Sequence, residues 1–287
     1  MKTSGSDAFR ARLLRAAHKK RFPLRVMLEL TYNCNFHCPH CYVPESYREA
    51  YRKTELPVGR FREIISELAE AGCLQLGFTG GEPLMKKGFF SLLRHAQRLG
   101  METYVYTNGS LLTEHFAEEL KRCGCAKVDI TVPAMTRAAF GKITGAPQSH
   151  AKVFRAVKLL RAKGVPLGLK TCDLKANHGE LRRIKMFAEK MGAPWRLDTE
   201  HIPRLDGTPL PPELLCSRKG TAPMRHACPR CGAGDSQGAI TPAGELKLCV
   251  AVDGPKWKIG PASVKKLWRR LGRSKLKKEL LRSCPAI

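Results

Sequence analysis

The chain of 287 residues contains no run of about eighteen apolar residues, which excludes a helix that spans a bilayer. Acids are scarce: 25 Asp and Glu face 51 Lys and Arg, a formal charge of +26. So basic a surface draws polyanions or acidic chains towards it and raises their encounter rate at low salt. Aromatic residues make up only 7% of the sequence and are thin in the basic runs. Bases would find little to stack on, and no recognisable nucleic-acid-binding module accompanies the charge. An acidic peptide suits the charge as well as RNA does, and RNA is not the favoured partner. No secretory signal is seen, and twelve cysteines without one point to a reducing, cytoplasmic setting in which thiolates bind metal.

The length allows a full core, as one large domain with an appendage or as two domains. Residues 1–22 are basic, with Phe9, Leu13, Leu14 and Ala17 near helical spacing among Arg and Lys. A transit peptide is one reading of that composition; a helix covering the end of the domain is the favoured one. From 23 to 206 short apolar segments alternate with helical patterns. Strands are expected at 24–31, 74–79, 102–107, 127–132, 167–173 and 195–200. Helices are expected at 58–71, 89–99, 113–122, 152–163 and 179–191. Thr113 has the position of an amino-terminal cap, and Gly72, Gly100, Gly124, Gly164 and Gly192 stop the helices. Such alternation demands a parallel sheet, and six units make an α/β fold, a partial (β/α)6 TIM-like barrel open on one side. Functional loops then gather at the carboxyl ends of the strands, where Cys34, Glu82, Asn108, Thr131, Asp173 and Asp198 all fall. The polar stretch 42–57 reads as a long loop carrying Tyr47 and Tyr51, either solvated or in contact with substrate.

Just past the first strand, Cys34, Cys38 and Cys41 stand in a CxxxCxxC spacing within a loop rich in Asn and Pro. Three thiolates so placed converge on one soft metal centre. Two readings follow. A zinc knuckle would recruit His37 or His40 as a fourth ligand. An iron-sulfur cluster would leave its fourth iron open to a ligand that is not protein.

This spacing, with Gly80-Gly81-Glu82-Pro83 after the second strand and Thr107-Asn108-Gly109 after the third, resembles the radical S-adenosylmethionine (SAM) superfamily over residues 24–205. The resemblance implies a [4Fe-4S] cluster on Cys34, Cys38 and Cys41 whose open iron is chelated by SAM. It implies reductive cleavage of SAM to a 5'-deoxyadenosyl radical that removes a hydrogen atom from substrate. It places Gly80, Gly81 and Glu82 against the methionine amino group, where bare backbone and a carboxylate suit an ammonium. His40 takes the position near the adenine. Asn108, Thr131, Lys170 and Asn177 match positions that approach the cofactor. Cys73, Cys123, Cys125 and Cys172 read as small buried hydrophobes.

Near residue 207 a run rich in Pro and Gly reads as a linker, and 207–287 form a second region. Its cysteines are Cys228, Cys231, Cys249 and Cys284, with Cys249 on the returning strand of a hairpin at 239–250. Two amphipathic basic helices are expected from 256 onward. The spacing from Cys231 to Gly244 to Cys249 resembles the SPASM/Twitch extension of radical SAM proteins, which implies one auxiliary [4Fe-4S] cluster on those four cysteines, with Cys216 a rival for the fourth place. A zinc ribbon from the same residues is the plainer alternative.

The SPASM-like features imply an enzyme that matures a ribosomally made precursor peptide, one with an acidic leader suiting the charge. A separate leader-binding protein and an electron donor such as flavodoxin or ferredoxin would be its partners. Two alternatives are radical SAM modification of RNA or a cofactor precursor, and a non-catalytic, zinc-stapled protein that binds nucleic acid.

Overall fold

A computed structural model describes residues 5–199, 204–216, 232–250, 254, 256–260 and 264–273. Helix α1 (Gly5–Lys20) precedes strand β1 (Arg25–Glu29), and is held near the amino-terminal end of the strands by His18 and Arg21, both 3.4 Å from the Asp235 carboxylate. After β1 come α2 (Glu45–Arg52), α3 (Val58–Glu70), β2 (Gln75–Thr79), α4 (Phe89–Arg98), β3 (Glu102–Thr107), α5 (Glu114–Arg122) and β4 (Lys127–Thr131). The chain continues through α6 (Arg137–Thr144), α7 (His150–Ala162), β5 (Leu167–Cys172), α8 (Leu181–Lys190) and β6 (Trp195–Asp198). Strands β1 to β6 run parallel in sequence order, so the expected partial (β/α) barrel is the fold.

Two elements depart from the sequence reading. The stretch 42–57 is not one loop but holds α2, whose packed face is built from Tyr47, Arg48 and Tyr51 instead of aliphatic residues, so no aliphatic periodicity marks it. Helix α6 was also unexpected. It is short, but Thr136 caps it by accepting from the Ala139 N–H, and Gly145 closes it in the left-handed region at φ +65°.

The hairpin of the second region does not stand apart. Its first strand, β7 (Gln237–Ile240), pairs in parallel with β1, and β8 (Glu245–Lys247) and β9 (Trp257–Lys258) follow antiparallel. The sheet therefore has nine strands in the order β6-β5-β4-β3-β2-β1-β7-β8-β9. Helix α9 (Val264–Arg273) packs on this addition: Trp268 is buried and donates its indole N–H to the Asp235 carbonyl at 3.0 Å, and the Val264 N–H donates to Glu67 on α3. The second basic helix expected in the tail falls outside the described residues.

Strand periodicity sorts the sheet into two faces. Outward, Val26, Leu28, Leu76, Phe78, Val105, Val128 and Ile130 are buried against Phe61, Ile64, Leu68, Leu92 and Leu120 of the helices. Each such side chain contributes roughly 1.5–3 kcal/mol by leaving water. The inward face is polar: Glu29, Tyr106, Asp129, Thr131, Lys170, Asp198 and Lys247 point into the barrel. Gly77 belongs to it too, since a side chain there would strike Met27 and Tyr106 from the neighbouring strands.

Candidate active site

The loop after β1 carries the three thiols. Its backbone is pinned on several sides. His37 donates to the Thr144 carbonyl at 2.8 Å, and Cys41 to the Cys38 carbonyl at 3.0 Å. Arg48, buried on α2, gives Nη1 to the Phe36 carbonyl at 3.0 Å and directs Nη2 at Cys41 Sγ, 3.7 Å away. Two further donors face sulfur: the Phe36 N–H is 3.4 Å from Cys34 Sγ, and Asn108 Nδ2 is 3.8 Å from it.

Burial pushes the Cys34 thiol up to about 11, partly offset by the Phe36 N–H, and burial also raises Cys38, which Cys41 and Cys34 raise further. Raised thiols such as Cys34 and Cys38 ionise together far more readily with a cation among them. The same loop nevertheless aims N–H donors at sulfur, as thiolates bound to metal require. The three cysteines therefore fit a cationic, thiolate-bound cluster.

The turn after β2 lies directly on this loop. Gly81 N–H donates to the Thr31 carbonyl at 2.7 Å and Glu82 N–H to the Asn33 carbonyl at 2.8 Å. Gly80 has φ +139°, and a Cβ on either glycine would collide with the carbonyl oxygens of Thr31, Tyr32 or Asn33. The glycines bring two strand ends into contact, as expected of a close backbone approach.

Glu82 has a structural part in addition to the contact with SAM expected of it. Its carboxylate is fully buried and accepts from Thr107 Oγ1 at 2.7 Å, the Leu84 N–H at 3.1 Å and the Asn108 N–H at 2.8 Å. Burial raises it to about 7, and those three donors moderate the rise. In this arrangement it ties the end of β3 to the turn after β2. Asn108 likewise serves the loop. Its Nδ2 reaches Asn35 Oδ1 at 2.9 Å, Asn35 Nδ2 reaches Ser110 Oγ at 2.8 Å, and Ser110 closes the ring on Asn108 Oδ1 at 2.7 Å. Neither Asn35, Ser110 nor Arg48 stood out in sequence, although the Thr107-Asn108-Gly109 motif lay beside one of them.

Thr131 and Lys170 are partners in register on β4 and β5, and Lys170 Nζ pairs with Asp198 at 2.6 Å. They share the inward face with Cys172, whose thiol burial raises and a charge on Cys41 raises further. Cys172 thus stands inside the barrel near the thiol loop, whereas Cys73, Cys123 and Cys125 are buried as expected. A small cavity of about 80 Å³ is lined by Lys127, Asp129, Lys170, Trp195 and Arg196. His40 is half-buried in the loop. Asn177 is buried outside this group: its amide holds the Pro133 and Cys172 carbonyls at 2.6 and 2.9 Å, and its oxygen accepts from the Leu174 N–H.

Of the second cysteine group, Cys228, Cys231 and Cys284 lie outside the described residues. Cys249 is half-buried close to Tyr42, which follows Cys41 directly. An unexpected buried network joins β1 to β8. Tyr32 and Tyr42 each donate to Glu29 at 3.0 Å, and Lys247 Nζ lies 2.9 Å from the same carboxylate. Tyr51, stacked on Tyr47, reaches Glu245 at 2.8 Å.

The profile of the radical SAM superfamily matches residues 28–175. The chain is 33% identical over 180 residues to a PqqA peptide cyclase of Bradyrhizobium diazoefficiens, covering 63% of this chain and 47% of that protein. To the PqqA peptide cyclase of Gluconobacter oxydans it is 31% identical over 172 residues, 60% and 47% of the two chains. The match spans about half the length of these curated relatives. In fold the chain is similar to Streptococcus suis SuiB bound to precursor peptide SuiA, with TM-score 0.68 and 15% identity over 93% of this chain and 70% of that one. It is also similar to anSMEcpe with bound AdoMet, with TM-score 0.64 and 14% identity over 90% and 82%.

Proposed function

Because this chain belongs to the radical SAM superfamily, we propose that it cleaves SAM reductively and uses the resulting radical chemistry to modify a ribosomally made precursor peptide. The carrying observation is the loop at the carboxyl end of β1, where three half-buried thiols meet directed N–H donors beside a glycine turn with bare backbone. Cys34, Cys38 and Cys41 would hold the [4Fe-4S] cluster, and with SAM bound it supplies a 5'-deoxyadenosyl radical.

The protein's own residues supply placement. Arg48, Asn35 and Asn108 fix the loop from three sides, so the thiols cannot splay. Gly80 and Gly81 let the backbone of one strand end lie against the next. Thr131 and Lys170, on the inward face, and His40, in the loop, are the side chains proposed to contact SAM. Glu82, Asn108 and Asn177 belong to the same proposed set, and Glu82 and Asn177 also hold the strand ends that carry it. The inward face offers substrate a polar lining, and the helices exclude water from behind.

A peptide substrate is supported by the likeness to the PqqA peptide cyclases and by the fold shared with SuiB, which was solved with its precursor peptide. The excess of positive charge suits an acidic leader. An auxiliary cluster on Cys249 with Cys228, Cys231 and Cys284 belongs to the same proposal, as do a leader-binding protein, a flavodoxin or ferredoxin as electron donor, and a cytoplasmic setting.

The test is anaerobic. Purified protein given SAM and a reductant is expected to release 5'-deoxyadenosine, and Cys38→Ala to abolish the release. Iron and sulfide near four per chain indicate one cluster, and near eight two. Zinc in place of iron, with no 5'-deoxyadenosine, overturns the proposal in favour of a metal-stapled binding protein.

A further inference from the structure

Just past the end of β5 lies a second group of side chains with metal-ligating atoms. Lys170 and Cys172 turn inward, so the next residue, Asp173, turns outward, and it is 2% exposed. The turn that follows is rigid. Asn177 bridges the Pro133 and Cys172 carbonyls and accepts from the Leu174 N–H, which fixes where His178 begins. As a result His178 Nδ1 lies 2.8 Å from Asp173 Oδ1.

The third member arrives from 38 residues further along the chain. Segment 204–216 crosses the carboxyl ends of the strands, with the Leu205 N–H on the Tyr42 carbonyl at 2.8 Å and the Lys175 N–H on the Leu214 carbonyl at 2.9 Å. Leu214 and Leu215 pack on the core, and Cys216 Sγ comes to 3.4 Å from the same Asp173 oxygen. One ligand atom from each of the three residues lies within 4.8 Å of the other two.

We infer that Asp173, His178 and Cys216 form a binding site for a single divalent metal ion of the zinc type, which clasps segment 204–216 to the end of β5. Separations of 2.8 and 3.4 Å suit pairs of ligand atoms that share one zinc ion at about 2.0–2.3 Å. The donors are a carboxylate, an imidazole and a thiol, a set that favours a borderline ion over calcium or magnesium. On binding, the Cys216 thiol releases its proton to water, so its thiolate and the Asp173 carboxylate are two negative ligands that balance the dication. Asn177 is the outer support that keeps the first ligands in place. This assignment takes Cys216 away from the auxiliary cluster and does not depend on the peptide-modifying reading.

The experiment uses the full, iron-loaded chain under anaerobic conditions, freed of loose divalent ions on a chelating resin and titrated with Co2+. The wild type is expected to take up one equivalent with a thiolate-to-cobalt charge-transfer band, which Zn2+ then bleaches. His178→Ala and Cys216→Ser should each lose that equivalent while iron and sulfide stay unchanged. His178 is 57% exposed, so its replacement does not threaten the fold. Superimposable titrations of wild type and His178→Ala overturn the proposal. So does a loss of iron and sulfide in Cys216→Ser, which would give that thiol to a cluster instead.

Discussion

Lys247 and Glu29 form an ion pair at 2.9 Å with neither side chain exposed to solvent, and the two belong to different regions of the chain. Tyr32 and Tyr42 complete the carboxylate's hydrogen bonds at 3.0 Å each. Removing one member of such a pair strands a charge in a dry place. Lys247→Met is therefore expected to lower stability by about 3–5 kcal/mol. The double variant Glu29→Leu/Lys247→Leu should recover much of that loss. Urea midpoints of the three proteins check it, and a Lys247→Met midpoint equal to wild type refutes it.

Arg48 spans the Phe36 carbonyl and Cys41 Sγ, so it fixes both a backbone turn and a ligand. Arg48→Ala should cost about 1.5–3 kcal/mol of hydrogen bonding to a charged group and lower the iron retained per chain after anaerobic reconstitution. Arg48→Lys keeps the charge but not the fork, and is expected to fall between the two. Iron content is the measurement.

Glu82 is raised by burial to about 7 from an ordinary 4.5. The folded state therefore holds a proton there that the unfolded state releases. The resulting stability is complete below about 4.5 and is lost as pH rises through about 7, a span on the order of 3 kcal/mol. Glu82→Gln should remove this part of the pH dependence. Denaturant midpoints of the two proteins from pH 5 to 8 are expected to separate as pH rises, wild type falling relative to Glu82→Gln, and parallel curves would show that Glu82 does not titrate in that window.

Gly81 meets the carbonyl oxygens of Tyr32 and Asn33 across a gap with no room for a Cβ. Gly81→Ala should push the turn off the thiol loop and weaken SAM binding at least tenfold, read by isothermal titration to the iron-loaded protein. Gly179, which has open space around it, is the control, and Gly179→Ala should bind as wild type does.

The barrel was legible because its signals are local. Alternating apolar runs, Thr113 as a cap and glycines as stops are each written within a few residues of the element they shape, and the three thiols lie within eight positions of one another. What escaped was set by contacts distant in sequence. Strand β7 has the same residues whether it pairs only with β8 or also lies against β1, so nothing in its pattern announced the parallel pairing. That Thr107 and Asn108, some 25 positions on, donate to the two oxygens of Glu82 could not be read from the turn that carries it. Arg48 was lost in a segment rich in tyrosine and charge, where a helix buries ring faces and a guanidinium in place of leucines.

Strand β1 has a neighbour on each side, β2 and β7. A fragment cut after residue 206 would keep all six barrel strands and yet leave the rim of β1 bare, with its unpaired amides and carbonyls offered to any passing chain. Such a fragment is expected to self-associate through that rim. Any boundary drawn between the two regions for expression or domain exchange would have to supply a substitute for Gln237–Ile240.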